Sequence, residues 1–248
     1  MRTLKITLAY DGTAYNGWQF QTTGPTIQST IEKALQQITG QSVRVTASGR
    51  TDAGVHALGQ VLSVHLETSL DDEPLCRALN ANTPFDIEFL NVETVADGFH
   101  AIRDAKRKRY RYVIQYGSRR DVIGRAFNWY VYGPLNVAAM KQAAEQLVGT
   151  HDFASFQASG SDRKTTVRTI YELCLAQFTE RGADKINIEV EADGFLYNMV
   201  RNIVGTLVEI GRGKQDIDWI GRVLAAQNRR AAGVTAPPQG LFLLKVDY

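Results

Sequence analysis

Cysteine is nearly absent from this 248-residue chain: there are two, Cys76 and Cys174. They lie far apart and form no Cys-x-x-Cys pair. That spacing argues against a disulfide framework and a zinc ribbon, and it suits a reducing, cytoplasmic compartment. The four histidines form no H-E-x-x-H and have no cysteine at ligand spacing, so no metal site is expected. Walker, Rossmann and G-x-S-x-G motifs are missing, and no cofactor is expected. No apolar run approaches the roughly 20 residues of a membrane helix. The first residues turn polar after Ala9, which leaves no signal-peptide core. Charge of one sign is also lacking. Lys and Arg number 28 and Asp and Glu 26, a net +2 that neither demands nor excludes nucleic acid. Low-complexity stretches and a Pro/Ser-rich linker are absent.

What is present is ordinary for a globular chain: 44% hydrophobic and 22% charged residues. A chain of this length buries a core without disulfides, as one large domain or two of about 100–150 residues. Alternation predicts strands over residues 4–10 and 59–66, and residues 43–47 and 87–95 read as two more. Between them, Pro25 and Thr26 open a helix with Ile27, Ile31, Leu35 and Ile38 on one stripe, closed at Gly40. Asp71 and Asp72 precede a shorter helix carrying Leu75 and Leu79. The second half reads as a strand over 107–116, a helix over 135–148, strands over 167–178 and 186–191, helices over 195–210 and 216–226, and a last strand over 241–246. Each half therefore follows β-α-β-β-α-β, the ferredoxin-like order, in an α+β protein. The expected domains are residues 1–102 and 103–248.

Three segments carry candidate chemistry. Ser48 to Ala57 packs Arg50, Asp52, His56 and two glycines into one irregular stretch after a strand, where functional groups are often placed. A plain polar turn, with Asp52 bonding backbone amides, explains the same residues. Residues 103–111 hold six basic side chains, with Tyr110 and Tyr112 following. On a strand, Lys106, Lys108, Tyr110 and Tyr112 share one face and Arg107, Arg109 and Arg111 the other. Cations beside aromatic rings suit phosphates and stacked bases, and equally a solvated edge strand. The helix after Phe195 turns Met199, Ile203 and Leu207 inward. Arg201 leaves that stripe, either to cap a surface or to bring its planar fork to a carboxylate or phosphate.

The block Arg50-Thr51-Asp52-Ala53-Gly54-Val55-His56-Ala57 resembles the signature of the TruA family of tRNA pseudouridine synthases. So do Tyr10-Asp11-Gly12 with Gly17-Trp18-Gln19, the strand Arg109-Tyr110-Arg111-Tyr112, His151-Asp152-Phe153 with Phe156, and Met199 to Gly205. The matches follow family order along nearly the whole chain. The resemblance implies two ferredoxin-like halves joined into one mixed, mainly antiparallel sheet, with helices on one side and a basic active-site cleft between the halves. It implies an isomerase, active as a homodimer on tRNA, that converts uridines 38, 39 and 40 of the anticodon arm to pseudouridine without a cofactor. It makes Asp52 the catalytic aspartate, Tyr110 the active-site tyrosine and Arg201 the partner of the aspartate. Arg50 is associated with opening the base stack. Arg107, Lys108, Arg109 and Arg111 are the expected RNA-binding strip. One departure stands out: the family's Phe-x-Ala-Arg is Phe99-His100-Ala101-Ile102 here, with Arg103 next, which on a strand faces the other way. Two other readings fit the residues: an RNA-binding protein without catalysis, and an RNA hydrolase using Asp52.

Overall fold

The computed structural model describes residues 1–158, 160 and 165–248. They form two compact units, Met1–Lys106 with Phe242–Tyr248, and Arg107–Leu241. This differs from the expected division at 102/103 in one instructive respect: the last strand joins the first unit. Phe242 and Leu243 pair in parallel with His56 and Ala57. Phe242 stacks on the His56 ring at 4.8 Å, and the Lys106 amide donates to the Asp247 carbonyl at 2.8 Å. Long-range pairing of this kind has no local sequence signal.

In the first unit, β1 (Arg2–Tyr10) lies between β3 (His56–Leu66) and β4 (Ile87–Val95), antiparallel to both, and β10 (Leu241–Asp247) continues the order β4-β1-β3-β10. Leu4, Ile6 and Leu8 alternate inward on β1 and are fully buried, each contributing about 1.5–3 kcal/mol. Helix α1 (Ile27–Thr39) begins and ends where its residues dictate. Thr26 and Ser29 form a reciprocal capping box, and Gly40 stops the helix at φ +73°. Helix α2 (Asp72–Ala81) buries Leu75 and Leu79. The strand expected over 43–47 shrinks to β2 (Thr46–Ala47), because the Val45 amide donates to the Glu32 carboxylate at 3.1 Å instead of to a ladder. The unit keeps the expected β-α-β-β-α-β order.

In the second unit, β5 (Arg107–Gly117), β9 (Ala183–Ala192), β8 (Val167–Glu180) and β7 (Gly149–Asp152) follow one another as antiparallel neighbours. The short β6 (Trp129–Tyr132) runs parallel to β5. Strands β6 and β7 are additions to the expected order; each has four residues, too few for a period to register. Tyr110, Tyr112 and Ile114 of β5 face Val190, Ile188 and Ile186 of β9, all buried. Helices α3 (Val137–Glu145), α4 (Met199–Gly211) and α5 (Trp219–Ala226) complete the unit. Helix α4 starts four residues later than expected. Asn198 sits at φ +58°, in the left-handed region that asparagine tolerates and a helix does not. Apart from Arg201 and Glu209 every residue of α4 is buried, so the helix is buried nearly all round rather than along one stripe.

Candidate active site

The first unit holds Asp52 at a turn whose shape is fixed from several sides. The Val55 amide returns to the Asp52 carbonyl at 3.1 Å, with Gly54 at φ +76° as such a turn requires. The Trp18 amide donates to the Thr51 carbonyl at 2.9 Å. Gly17, at φ +85°, lies so close that a Cβ there would meet the Thr51 carbonyl oxygen at 2.7 Å. The hydroxyls of Tyr10 and Thr51 are 2.8 Å apart in the buried interior. Asp52 itself is half-buried, between buried Thr51 and exposed Ala53, and Arg50 is exposed. His56 is buried at the start of β3, with its Nδ1 3.0 Å from the Asp11 carboxylate. Among the described residues no cluster of three metal-ligating side chains occurs.

The second unit holds Tyr110 and Arg201. Tyr110 is 8% exposed on the core-facing side of β5, its ring edge-on to Phe195 at 5.0 Å and 84°. Arg201 is half-buried near the start of α4. Its Nε donates to the Ala236 carbonyl at 2.7 Å and its Nη1 to Asn198 Oδ1 at 3.0 Å. Next to it, Asn202 accepts from Arg229 at 3.0 Å and from Thr235 at 2.7 Å, and donates to the Phe156 carbonyl at 2.8 Å. The guanidinium forks of α4 and residue 229 thus tie residues 233–236 to the helix. The Tyr112 hydroxyl donates to the Pro237 carbonyl at 2.7 Å, and burial pushes its pKa far above the ordinary phenol value against the opposing charge of Arg201.

The basic strip divides across β5 as its period predicts, but its arginines are engaged. Arg109 bonds Glu191 at 3.1 Å, Glu189 at 3.2 Å and also Glu172. Arg111 bonds Glu189 at 2.7 and 2.9 Å. Arg107 reaches Glu191 at 3.2 Å and lies over the Tyr171 ring at 4.3 Å. Three arginines meet three glutamates on this face. Lys108, half-buried, lies on the Tyr110 face. Arg103 is exposed, and its segment is a turn: the Asp104 amide donates to the His100 carbonyl at 3.1 Å, and the Arg103 amide to His100 Nδ1 at 3.4 Å. Strand alternation therefore does not decide where Arg103 points.

Sequence reasoning left out Gln60 and Arg229 and gave Tyr10 and Asn202 no role. Gln60, wholly buried within an apolar strand, and Asn202, wholly buried in an apolar helix, were detectable as polar residues where the period puts the core.

Units built this way, the first in ferredoxin-like element order and with an aspartate on a braced turn, place the protein among α+β proteins. A family model described as tRNA pseudouridine synthase matches residues 6–103 and 143–248. The chain is 46% identical over 248 residues to tRNA pseudouridine synthase A of Thermoanaerobacter sp. strain X514, covering all of both chains. It is 47% identical over 250 residues to the protein of that name from Exiguobacterium sp. strain AT1b, covering 100% of this chain and 98% of the relative. It is 45% identical over 248 residues to that of Geotalea daltonii, again covering all of both. The chain belongs to the tRNA pseudouridine synthase family.

Proposed function

We propose that this protein isomerises uridine to pseudouridine in tRNA, at positions 38, 39 and 40 of the anticodon arm, with Asp52 as its catalytic carboxylate. The reaction breaks the N1–C1′ bond, turns the uracil and joins C5 to C1′. The C5 proton leaves and N1 ends protonated, so nothing is oxidised or reduced. Asp52 acts on the ribose as an anion, either by attack at C1′ or by removing the C2′ proton; a rate effect of deuterium at C2′ separates the routes. Arg201, in the Met199–Gly205 segment that resembles the family's motif, acts as the basic partner of that carboxylate. Tyr110 stacks on the uracil and assists removal of the C5 proton. Extracting the base from its stack costs a few kcal/mol, which phosphate contacts offset. Arg50 and Lys108 supply such contacts. Arg107, Arg109 and Arg111 add to them only as far as their glutamates leave charge over. The protein works in the cytoplasm as a homodimer. The observation that carries this reading is the position of Asp52 on a turn fixed by Tyr10, Trp18 and Gly17, within the residues the family model matches.

Hydrogen release tests it. Purified protein is given tRNA carrying tritium at uracil C5, without metal or nucleotide and with EDTA present. Stoichiometric tritium release to water, lost in Asp52→Asn, is expected from tRNAs with uridine in the lower anticodon stem. An intact RNA that keeps its tritium rejects the isomerase, and release only from another arm rejects the site specificity.

A further inference from the structure

Beneath the Asp52 turn lies a connected set of polar side chains with almost no access to water: Ser48 is 1% exposed, Gln60 0%, Tyr10 4% and Thr51 6%. Gln60 is saturated. Its Oε1 accepts from the Ser48 hydroxyl at 2.7 Å and the Val61 amide at 3.1 Å. Its Nε2 donates to the Gly49 carbonyl at 2.9 Å and to the Tyr10 oxygen at 3.4 Å. With both ends of the amide used, Gln60 cannot turn over without breaking all four bonds. The Tyr10 oxygen accepts from Gln60 and shares a second hydrogen bond with the Thr51 hydroxyl, 2.8 Å away, in which either oxygen can donate. Burial pushes the Tyr10 pKa up to about 12, against the hydrogen bonds with Thr51 and Gln60, so the phenol keeps its proton throughout the neutral range.

The backbone is arranged to bring these groups together. Between β1 and β3 the register shifts: Leu8 lies opposite Gln60, but Tyr10 lies opposite Ala57, which leaves one extra residue on β3. Bulges of this kind re-aim a side chain and recur beside active sites. Thr51 is then held twice, by Tyr10 at its hydroxyl and by the Trp18 amide at its carbonyl. The residue after it is Asp52, whose own carbonyl is closed by Val55. Buried polar groups cost free energy unless fully bonded, and apolar residues of similar shape would fill the same space at least as stably. What such a network adds is one defined geometry.

We propose that Tyr10, Thr51 and Gln60 are positioning residues that fix the direction of the Asp52 carboxylate and so govern the chemical step rather than the grip on RNA. The proposal rests on the reading of Asp52 as the catalytic carboxylate. A misplacement of about 1 Å at a reacting group costs on the order of 100-fold in rate. Thr51→Val keeps the side-chain shape and removes the hydroxyl, Thr51→Ser keeps the hydroxyl, and Tyr10→Phe removes a single atom. Each is measured in the full chain by single-turnover rate at saturating tRNA, by KM, by tRNA affinity and by thermal unfolding, with Asp52→Asn alongside. Thr51→Val and Tyr10→Phe are expected to lower kcat about 10- to 100-fold with KM and affinity near wild type. Thr51→Ser should restore the rate. The double variant should be no slower than the worse single, since both remove the Tyr10–Thr51 hydrogen bond. Should Thr51→Val fail to fold, Tyr10→Phe carries the comparison. Folded Thr51→Val and Tyr10→Phe with wild-type kcat, or with losses confined to KM, overturn the positioning role while an inactive Asp52→Asn leaves the catalytic reading intact. An active Asp52→Asn overturns both.

Discussion

Arg109 stands directly opposite Glu191 across β5 and β9, and its Nε donates to that carboxylate at 3.1 Å. Two further glutamates, Glu189 and Glu172, share the same guanidinium. A strip that reads in sequence as a cationic surface is, on the folded sheet, a ladder of opposed charges.

Arg109→Gln is therefore expected to act on stability first. It removes the cation shared by three glutamates, of which Glu191 is nearly buried. A loss of about 1–3 kcal/mol should appear in urea unfolding. The log–log salt slope of tRNA binding should change by less than the roughly 0.9 expected per lost duplex phosphate contact. A full unit of slope lost at unchanged stability would assign Arg109 to RNA instead.

Asp52→Asn is nearly isosteric and cannot act as a carboxylate. Product analysis should find no turnover, and filter binding on the same preparation should find tRNA affinity little changed. Retained turnover sinks the assignment.

Arg201→Lys should be tolerated far less than an exchange at an exposed arginine. One ammonium cannot reproduce the fork that reaches both the Ala236 carbonyl and Asn198. We expect kcat to fall at least 10-fold, on the scale of roughly 1.4 kcal/mol per decade, with the protein still folded by circular dichroism. A kcat near wild type would make Arg201 a tether for residues 233–236 and no more.

Asp121 supplies a pH prediction. Hydrogen bonds from Arg181 and Lys185 hold its carboxyl well below the usual range, and the contact with Lys185 is 2.8 Å between two buried side chains. A depressed folded-state pKa stabilises the protein fully above the unfolded value of about 3.9, and that contribution drains away as the pH falls from there toward the folded value. Asp121→Asn should cost about 3 kcal/mol at neutral pH. The gap to wild type should narrow in denaturation curves taken below about pH 4. A gap that stays constant with pH would show that the charge of Asp121 does not contribute.

The elements with strong periods were legible from the chain alone. Strand β4 spans residues 87–95 as expected, and α1 lies between the cap at Thr26 and the stop at Gly40. Both are written within a dozen or so neighbouring residues, where alternation and capping are local energies. The start of α4 was not legible, because the left-handed turn at Asn198 leaves no mark in an apolar pattern. The candidate residues themselves, Asp52, Tyr110 and Arg201, were found by motif, since motifs are contiguous.

What surrounds those residues was decided by tertiary structure. Sequence placed Arg107, Arg109 and Arg111 on one face, and only the register of β5 against β9 set Glu191 opposite Arg109 and Glu189 opposite Arg111. Sequence ended the chain in a strand, and only its pairing with His56 and Ala57 assigned that strand to the first unit. Tyr10 and Thr51 lie forty-one positions apart, and the hydrogen bond that joins them exists because a bulge shifts β1 against β3. Side-chain period is a property of neighbours along the chain and can be read there. Register, bulges and the closure of buried hydrogen bonds are properties of distant segments packed together, and they take a value only once the chain has folded.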